Sequence, residues 1–216
     1  LIISHEDVFF PPEYAWGDKK NKGIVSEKKI ELLEKYKINI VRIHSTADKY
    51  FVFDEFGNLF GFRTKFIKKE FFRIYKIKPI KFESFCKKIK GKINSPFIRI
   101  CGNNKKIIRK VGNLVGGMGL SINASFIDEI LKYKVDMVIV GEFDEYTERV
   151  LFDMGVCGSE IGHEKSEEKG LVKFVNFLRK NLNKIKSLIS VSLPDNEFAN
   201  ICWHISGKFS AVIISD

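Results

Sequence analysis

The chain has 216 residues, 44% hydrophobic and 30% charged, with a formal net charge of +10 at pH 7. That length supports one large domain or two small ones, and the balance of apolar and charged residues excludes a largely disordered or low-complexity chain. No apolar run approaches the roughly 20 residues a membrane-spanning helix needs, and four cysteines with no C-x-x-C pair exclude a disulfide framework and predict a reducing, cytoplasmic setting.

The charge comes mostly from lysine, dispersed in pairs such as Lys19-Lys20, Lys68-Lys69, Lys87-Lys88 and Lys105-Lys106. A solvated lysine-rich surface accounts for this pattern. A face for a polyanion such as nucleic acid is the alternative, without the Arg and aromatic signature of an RNA binder.

The opening "LIIS" predicts the end of a buried strand, and because the chain begins inside it, a preceding segment is expected. "PPEYAWGDKKNKG" is a loop punctuated by Pro and Gly. Ser26 is a candidate N-cap for a helix over "SEKKIELLEKYKI", where Ile30, Leu32, Leu33 and Tyr36 form an apolar stripe. The strand "INIVRI" then runs into the polar "HSTADKY". "FVFDEFGNLFGF" predicts a hairpin around Gly57-Asn58. A joint near 70 to 80 divides the chain into lobes 1–75 and 76–216.

Beyond the joint come a helix over "KFESFCKKIKGKI", a strand at "FIRICG", and a strand in "KIIRKVGNLVGG" leading into the glycine-rich "GGMGLS". "NASFIDEILKYK" predicts a helix, "VDMVIVGEF" a buried strand, and "DEYTERVLFDMG" a helix stopping at Gly155. A short strand, a polar loop and a long amphipathic helix follow in "VCGSEIGHEKSEEKGLVKFVNFLRKNL", and the tail predicts two or three strands. Alternation of strand and helix argues for an α/β fold of two layers or lobes with mixed sheets.

Three stretches could carry chemistry. In "GHEKSEEKG", His163 and Glu167 stand four apart, which on a helix brings both to one face within reach of a shared metal ion. The plainer alternative is an exposed helix start whose Glu residues the helix dipole favours. His44 and Asp48 in "HSTADKY" follow a strand directly, and the alternative there is a polar loop with a capping Asp. His5, Glu6 and Asp7 also follow an apolar strand end. They form either part of a polar pocket at the strand's carboxyl end, where open α/β sheets bind ligands, or a charged edge that discourages aggregation. His204 has no adjacent acid. "GGMGLS" lacks the Lys-Ser/Thr ending of a phosphate loop and reads as a tight turn or a backbone cradle for phosphate. Glu142 in "VGEF" either orients a ligand imidazole or sits at a helix N-terminus.

With these motifs in order, the sequence resembles the NIF-three-like family, the GTP cyclohydrolase type-two homologues. That family has a strand ending in His-His-Pro, a later strand ending in H-T-x-x-D and a C-terminal G-H-x-x-S-E, which appear here as "IISHEDVFF", "RIHSTADKY" and "IGHEKSE". The likeness covers most of residues 1 to about 193. It implies a centre of two divalent metal ions, with Fe, Mn, Zn and Mg not distinguished. By position His5 matches the first His, Asp48 the bridging carboxylate, and His163 with Glu167 the C-terminal ligands. Glu6 stands where the family has its second His and Asp7 where it has Pro. A carboxylate at Glu6 remains a competent ligand and would shift preference toward harder ions.

The resulting expectation is a metal-dependent hydrolase acting on a nucleotide-like or other small cyclic substrate, with His5, Glu6, Asp48, His163 and Glu167 as metal ligands and Glu6 or Glu142 moving protons. The resemblance also implies homo-oligomers, toroidal hexamers built from dimers. The alternative is a non-catalytic metal-binding scaffold whose basic face holds nucleic acid.

Overall fold

The computed structural model describes residues 1–9, 24–62 and 65–181, and the strand segments 186–190 and 211–215. In chain order the elements are β1 (Ile2–Ser4), α1 (Ile24–Lys35), β2 (Ile40–Arg42), α2 (Ser45–Ala47), a π-helical turn (Asp48–Val52), α3 (Phe53–Leu59), β3 (Lys65–Lys68), β4 (Arg73–Lys81), α4 (Phe82–Ile93) and β5 (Arg99–Cys101). Then come β6 (Ile107–Leu114), two 3-10 turns (Gly116–Met118 and Ser121–Asn123), α5 (Ala124–Leu131), β7 (Met137–Val140), α6 (Glu145–Asp153), β8 (Cys157–Glu160), α7 (His163–Asn181), β9 (Lys186–Ser190) and β10 (Ala211–Ser215).

The chain forms two units, one of Leu1–Ala47 with Leu171–Asp216 and one of Asp48–Gly170. The joint drawn at 75/76 from composition falls inside β4, a nine-residue strand. In the first unit the sheet order is β2-β1-β10-β9, with β1 parallel to β2 and antiparallel to β10. Parallel neighbours need a crossover, and α1 lies on it. The helix ends with Lys37 at φ +50° and the Ile38 N–H bonded to the Leu33 carbonyl at 2.8 Å, a Schellman-type stop built without glycine. Its Leu32 and Leu33 pack with Ile38 and Ile40 against buried Ile2 and Val8.

In the second unit the sheet order is β3-β4-β6-β7-β8-β5, with β6, β7 and β8 parallel and the flanking pairs antiparallel. All four residues of β7 are buried, as a strand covered on both faces requires. Helix α5 lies so close to β6 that a Cβ at Gly112 would stand 2.3 Å from Ile130 Cδ1. Helix α4 buries Phe82, Phe85, Cys86, Ile89 and Ile93, one helical face, and stops at Asn94 in the left-handed conformation.

The hairpin expected at Gly57-Asn58 is instead helix α3, which buries Phe53, Phe56, Gly57 and Leu59. Gly57 serves packing rather than a turn there: a Cβ would meet the Tyr75 hydroxyl at 2.1 Å. The expected polar loop before the last helix is absent, because α7 begins at His163 itself. The loop "PPEYAWGDKKNKG", His204, Cys202 and most of the tail lie outside the described residues. Among the described residues no helix is long and apolar enough to cross a membrane.

Two contacts yield measurable consequences. At Gly170 on α7 a Cβ would lie 2.4 Å from the Val52 Cα, so helix and π turn touch backbone to backbone. Gly170→Ala would gain about 1 kcal/mol in a free helix, but overpacking costs about 1–3 kcal/mol. The expected result is a lowered thermal midpoint; an unchanged or raised one would contradict the contact. Asp144 caps α6 by accepting from the Thr147 N–H at 2.9 Å and from the Ser121 N–H at 2.9 Å. Partial burial pushes this carboxyl up, but the hydrogen bonds from Ser121 and Thr147 outweigh it and hold the group down at about 2. A depressed folded value means stability that is present above the unfolded value of about 3.9 and is lost as pH falls toward about 2. Asp144→Ala should therefore destabilise by about 1 kcal/mol at neutral pH, and in denaturant titrations its deficit should shrink below pH about 4.

Candidate metal centre

In the second unit the carboxyl ends of three adjacent parallel strands converge, each through a glycine. Strand β6 leads to Gly116, β7 to Gly141 and β8 to Gly162. Gly141 N–H donates to the Leu114 carbonyl at 2.9 Å, Glu142 N–H to that of Gly116 at 2.9 Å, and Gly162 N–H to that of Gly141 at 3.0 Å. No side chain fits between these loops: a Cβ at Gly141 would lie 2.4 Å from the Gly116 carbonyl oxygen. Gly116 and Gly162 also hold φ values of +52° and +98°, which only glycine adopts at little cost.

This stacking sets His163 on the first turn of α7. Its Nδ1 stands 3.0 Å from Glu142 Oε2, hydrogen-bond distance, and its Nε2 stands 3.3 Å from Glu167 Oε1, one turn along the helix. Glu167 is buried. A Cβ on Gly116 would lie 2.5 Å from Glu167 Oε1 and 3.0 Å from His163 Nε2, so the glycine leaves open the space in front of both donors. Ser166 links the parts, accepting the Gly116 N–H at 2.8 Å and donating to the His163 carbonyl at 2.6 Å. The contact between Gly170 and Val52 brings the π turn alongside the same helix. Asp48, four residues before Val52, is buried, and its carboxylate lies within 4.8 Å of that of Glu167. The second unit thus joins Asp48, Glu142, His163 and Glu167.

In the first unit the parallel pairing of β1 with β2 sets Ser4 opposite Arg42, and Ile43 N–H donates to the Ser4 carbonyl at 2.8 Å. His5, directly after β1, and His44, two residues past the end of β2, therefore come side by side, their rings stacked with centroids 4.5 Å apart. Glu6 Oε1 stands 3.4 Å from His5 Nδ1 and 3.3 Å from His44 Nε2. The third polar residue of the opening run, Asp7, faces Arg42 at 3.6 Å. The expected pair His5 and Glu6 are together, and a third donor stands beside them. His44 was absent from the expected ligand set, although its place directly after an apolar strand was visible in the sequence; the pairing of two strands far apart in the chain makes it a neighbour of Glu6.

Both clusters mix imidazole nitrogen with carboxylate oxygen, a donor set suited to a divalent ion, and His5, Glu6 and His44 offer ligand atoms all within 4.8 Å of one another. "GGMGLS" forms the first 3-10 turn, Gly116–Met118, and leads into the second at Ser121. Among the described residues the cysteines stand outside this chemistry. Cys86, Cys101 and Cys157 are buried free thiols, and burial pushes Cys86 up to about 12 and Cys101 to about 11, leaving them protonated and unreactive near neutrality.

A curated relative in Campylobacter jejuni, a GTP cyclohydrolase 1 type 2 homolog, is 24% identical over 204 residues, covering 92% of this chain and 75% of the relative. Reduced HcgD from Methanocaldococcus jannaschii superposes with a TM-score of 0.66 at 22% identity, over 84% of this chain and 70% of that one. Staphylococcus aureus protein SA1388, described as hypothetical, superposes with a TM-score of 0.61 at 17% identity, over 84% and 73%. These structural likenesses establish the mixed α/β fold. The family model for Duf34/NIF3 (NGG1p interacting factor 3) matches residues 1–196, and the chain belongs to that family.

Proposed function

We propose that the protein is a metal-dependent hydrolase of nucleotide-like or small cyclic substrates, with two divalent ions served by His5, Glu6, Asp48, His163 and Glu167. The observation that carries this reading is the arrangement around His163, whose two ring nitrogens face different carboxylates at different distances. The 3.0 Å contact with Glu142 fits an N–H···O bond. Accepting from Nδ1, Glu142 fixes the tautomer that leaves Nε2 as a donor toward the space also faced by Glu167. Ions bound there would supply a water of lowered pKa and polarise the bond to be cleaved. The side chain of Glu142 is 43% exposed, so it can also pass a proton between the imidazole and solvent. The buried carboxylates of Asp48 and Glu167 would repel each other as anions at short range, and a cation between them offsets that repulsion.

A second reading is favoured by the outer face of α4 and the residue preceding it, where Lys81, Lys87, Lys88, Lys90 and Lys92 are all exposed. A metal-holding homo-oligomer without turnover could use such a face for nucleic acid. The two readings separate in one assay series. Purified protein is analysed for bound metal and tested on a panel of nucleotides and phosphoesters, with and without chelator. Chelator-sensitive turnover that is lost in His163→Ala supports the hydrolase. Bound metal without turnover, together with DNA binding that weakens steeply with salt, supports the scaffold.

The orienting role of Glu142 has its own readout. Glu142→Ala should weaken metal affinity by about 10- to 100-fold, measured calorimetrically. Glu142→Gln, whose amide oxygen can accept the same N–H, should restore most of it. Equal affinities in all three proteins would remove Glu142 from the site.

A further inference from the structure

We infer that the cavity between the end of α3 and α4 binds a small aromatic phosphate monoester, its ring against the phenylalanines and its phosphate beside Lys88 and Lys92. The site shares no residue with the metal centre and stands whether or not the hydrolase reading does.

The cavity measures about 370 Å³ and is lined by Phe60, Phe85, Lys88, Ile89, Gly91 and Lys92. That lies toward the small end of the range for ligand pockets, about 300–1,000 Å³, and suits one ring system with its phosphate rather than a longer chain. Phe85 and Ile89, one turn apart on α4, are buried and form its floor. Phe60, the residue that caps α3, is half-buried and meets Phe56 edge-on, centroids 5.4 Å apart, and Phe62 at 5.7 Å. Phe62 in turn meets Phe85 at 6.0 Å and Tyr75 at 5.0 Å. Rings held in such a cluster keep their places before a ligand arrives, so another aromatic ring joins them at a small cost in ordering.

Gly91 has no other account in the fold. Glycine is among the poorest helix formers, yet this one stands inside α4, and the left-handed stop of that helix falls on Asn94 instead. At Gly57, Gly112 and Gly170 an added Cβ would strike a neighbouring element, whereas at Gly91 it would meet nothing within 4 Å. The missing side chain therefore serves the cavity that Gly91 lines, and a long one there would fill its rim.

The charges select the anion. Lys88 and Lys92 are exposed and four residues apart, so they share one face of α4. Neighbouring Lys87 is engaged by Glu83 at 2.7 Å, whereas among the described residues no carboxylate pairs with Lys88 or Lys92. None of the six lining residues is an acid. A phosphate monoester carries about −1.5 to −2 charges at neutral pH and matches two ammonium groups, where a carboxylate brings one. The lysines are the only hydrogen-bonding side chains in the lining, so the site reads a flat ring and its charge rather than a particular base.

The test titrates the full chain, with chelator present to keep the metal centre empty, against adenosine monophosphate, adenosine, ribose phosphate and naphthoate. Binding is followed through the Gly91 amide and Ile89 methyl resonances. Adenosine monophosphate should shift both, and the other three should bind about tenfold more weakly or worse. Replacing both lysines, Lys88→Gln with Lys92→Gln, should cost about tenfold in affinity and flatten its salt dependence. Gly91→Leu should abolish binding while the circular dichroism spectrum stays the same and the thermal midpoint does not fall, because leucine favours the helix. If that variant fails to fold, the lysine pair and the four ligands still decide. Unmoved Gly91 and Ile89 resonances at millimolar adenosine monophosphate would overturn the assignment, as would any of the other three ligands binding as tightly. Binding indifferent to a folded Gly91→Leu would overturn it too, since that marks an anion held by surface lysines alone.

Discussion

The second unit depends on one constraint, the near contact of three backbone turns where parallel strands end. Gly116, Gly141 and Gly162 stack with nothing between them, and their mutual hydrogen bonds fix where Glu142 and His163 begin. Any side chain at Gly141 would push the first turn off the second, and any at Gly116 would fill the space that His163 and Glu167 face. The glycines therefore act by keeping room and bringing backbone close, with no donor of their own beyond the main chain. Backbone and packed helix hold a site more rigidly than a mobile loop can, and preorganised donors need no rearrangement to receive an ion.

A second close approach extends the arrangement. Gly170 lets α7 lie on the π turn at Val52, so Asp48 and Glu167, each about one helical turn away, bring two buried carboxylates within reach of each other. Buried carboxylates near one another are costly unless something neutralises them. The first unit brings imidazoles and a carboxylate together by another route, the parallel pairing of two short strands just beyond whose ends His5 and His44 stand.

Much of the chain was legible locally. Helices α4, α6 and α7 follow from apolar spacing and caps, and β7 from its uninterrupted apolar run. The His163–Glu167 pair was legible because helical periodicity alone brings residues four apart to one face. Strands β3 and β4 gave little local signal: β4 carries lysines along its exposed part, and only its first three residues are all buried. At Gly57-Asn58 local turn chemistry pointed to a hairpin, while the apolar face of Phe53, Phe56 and Leu59 together with the Tyr75 ring favoured a helix.

By itself the sequence determined the α/β class and the family motifs, because each is written in local periodicity or in a short run of residues. The tertiary structure decided which donors meet. His44 joins Glu6 through strand pairing, Glu142 reaches His163 through stacked glycine turns, and Asp48 nears Glu167 through a helix crossing at Gly170. Such encounters are set by the register of strands and the depth at which helices pack, and both arise from contacts between residues distant in the chain, which no local window of sequence contains.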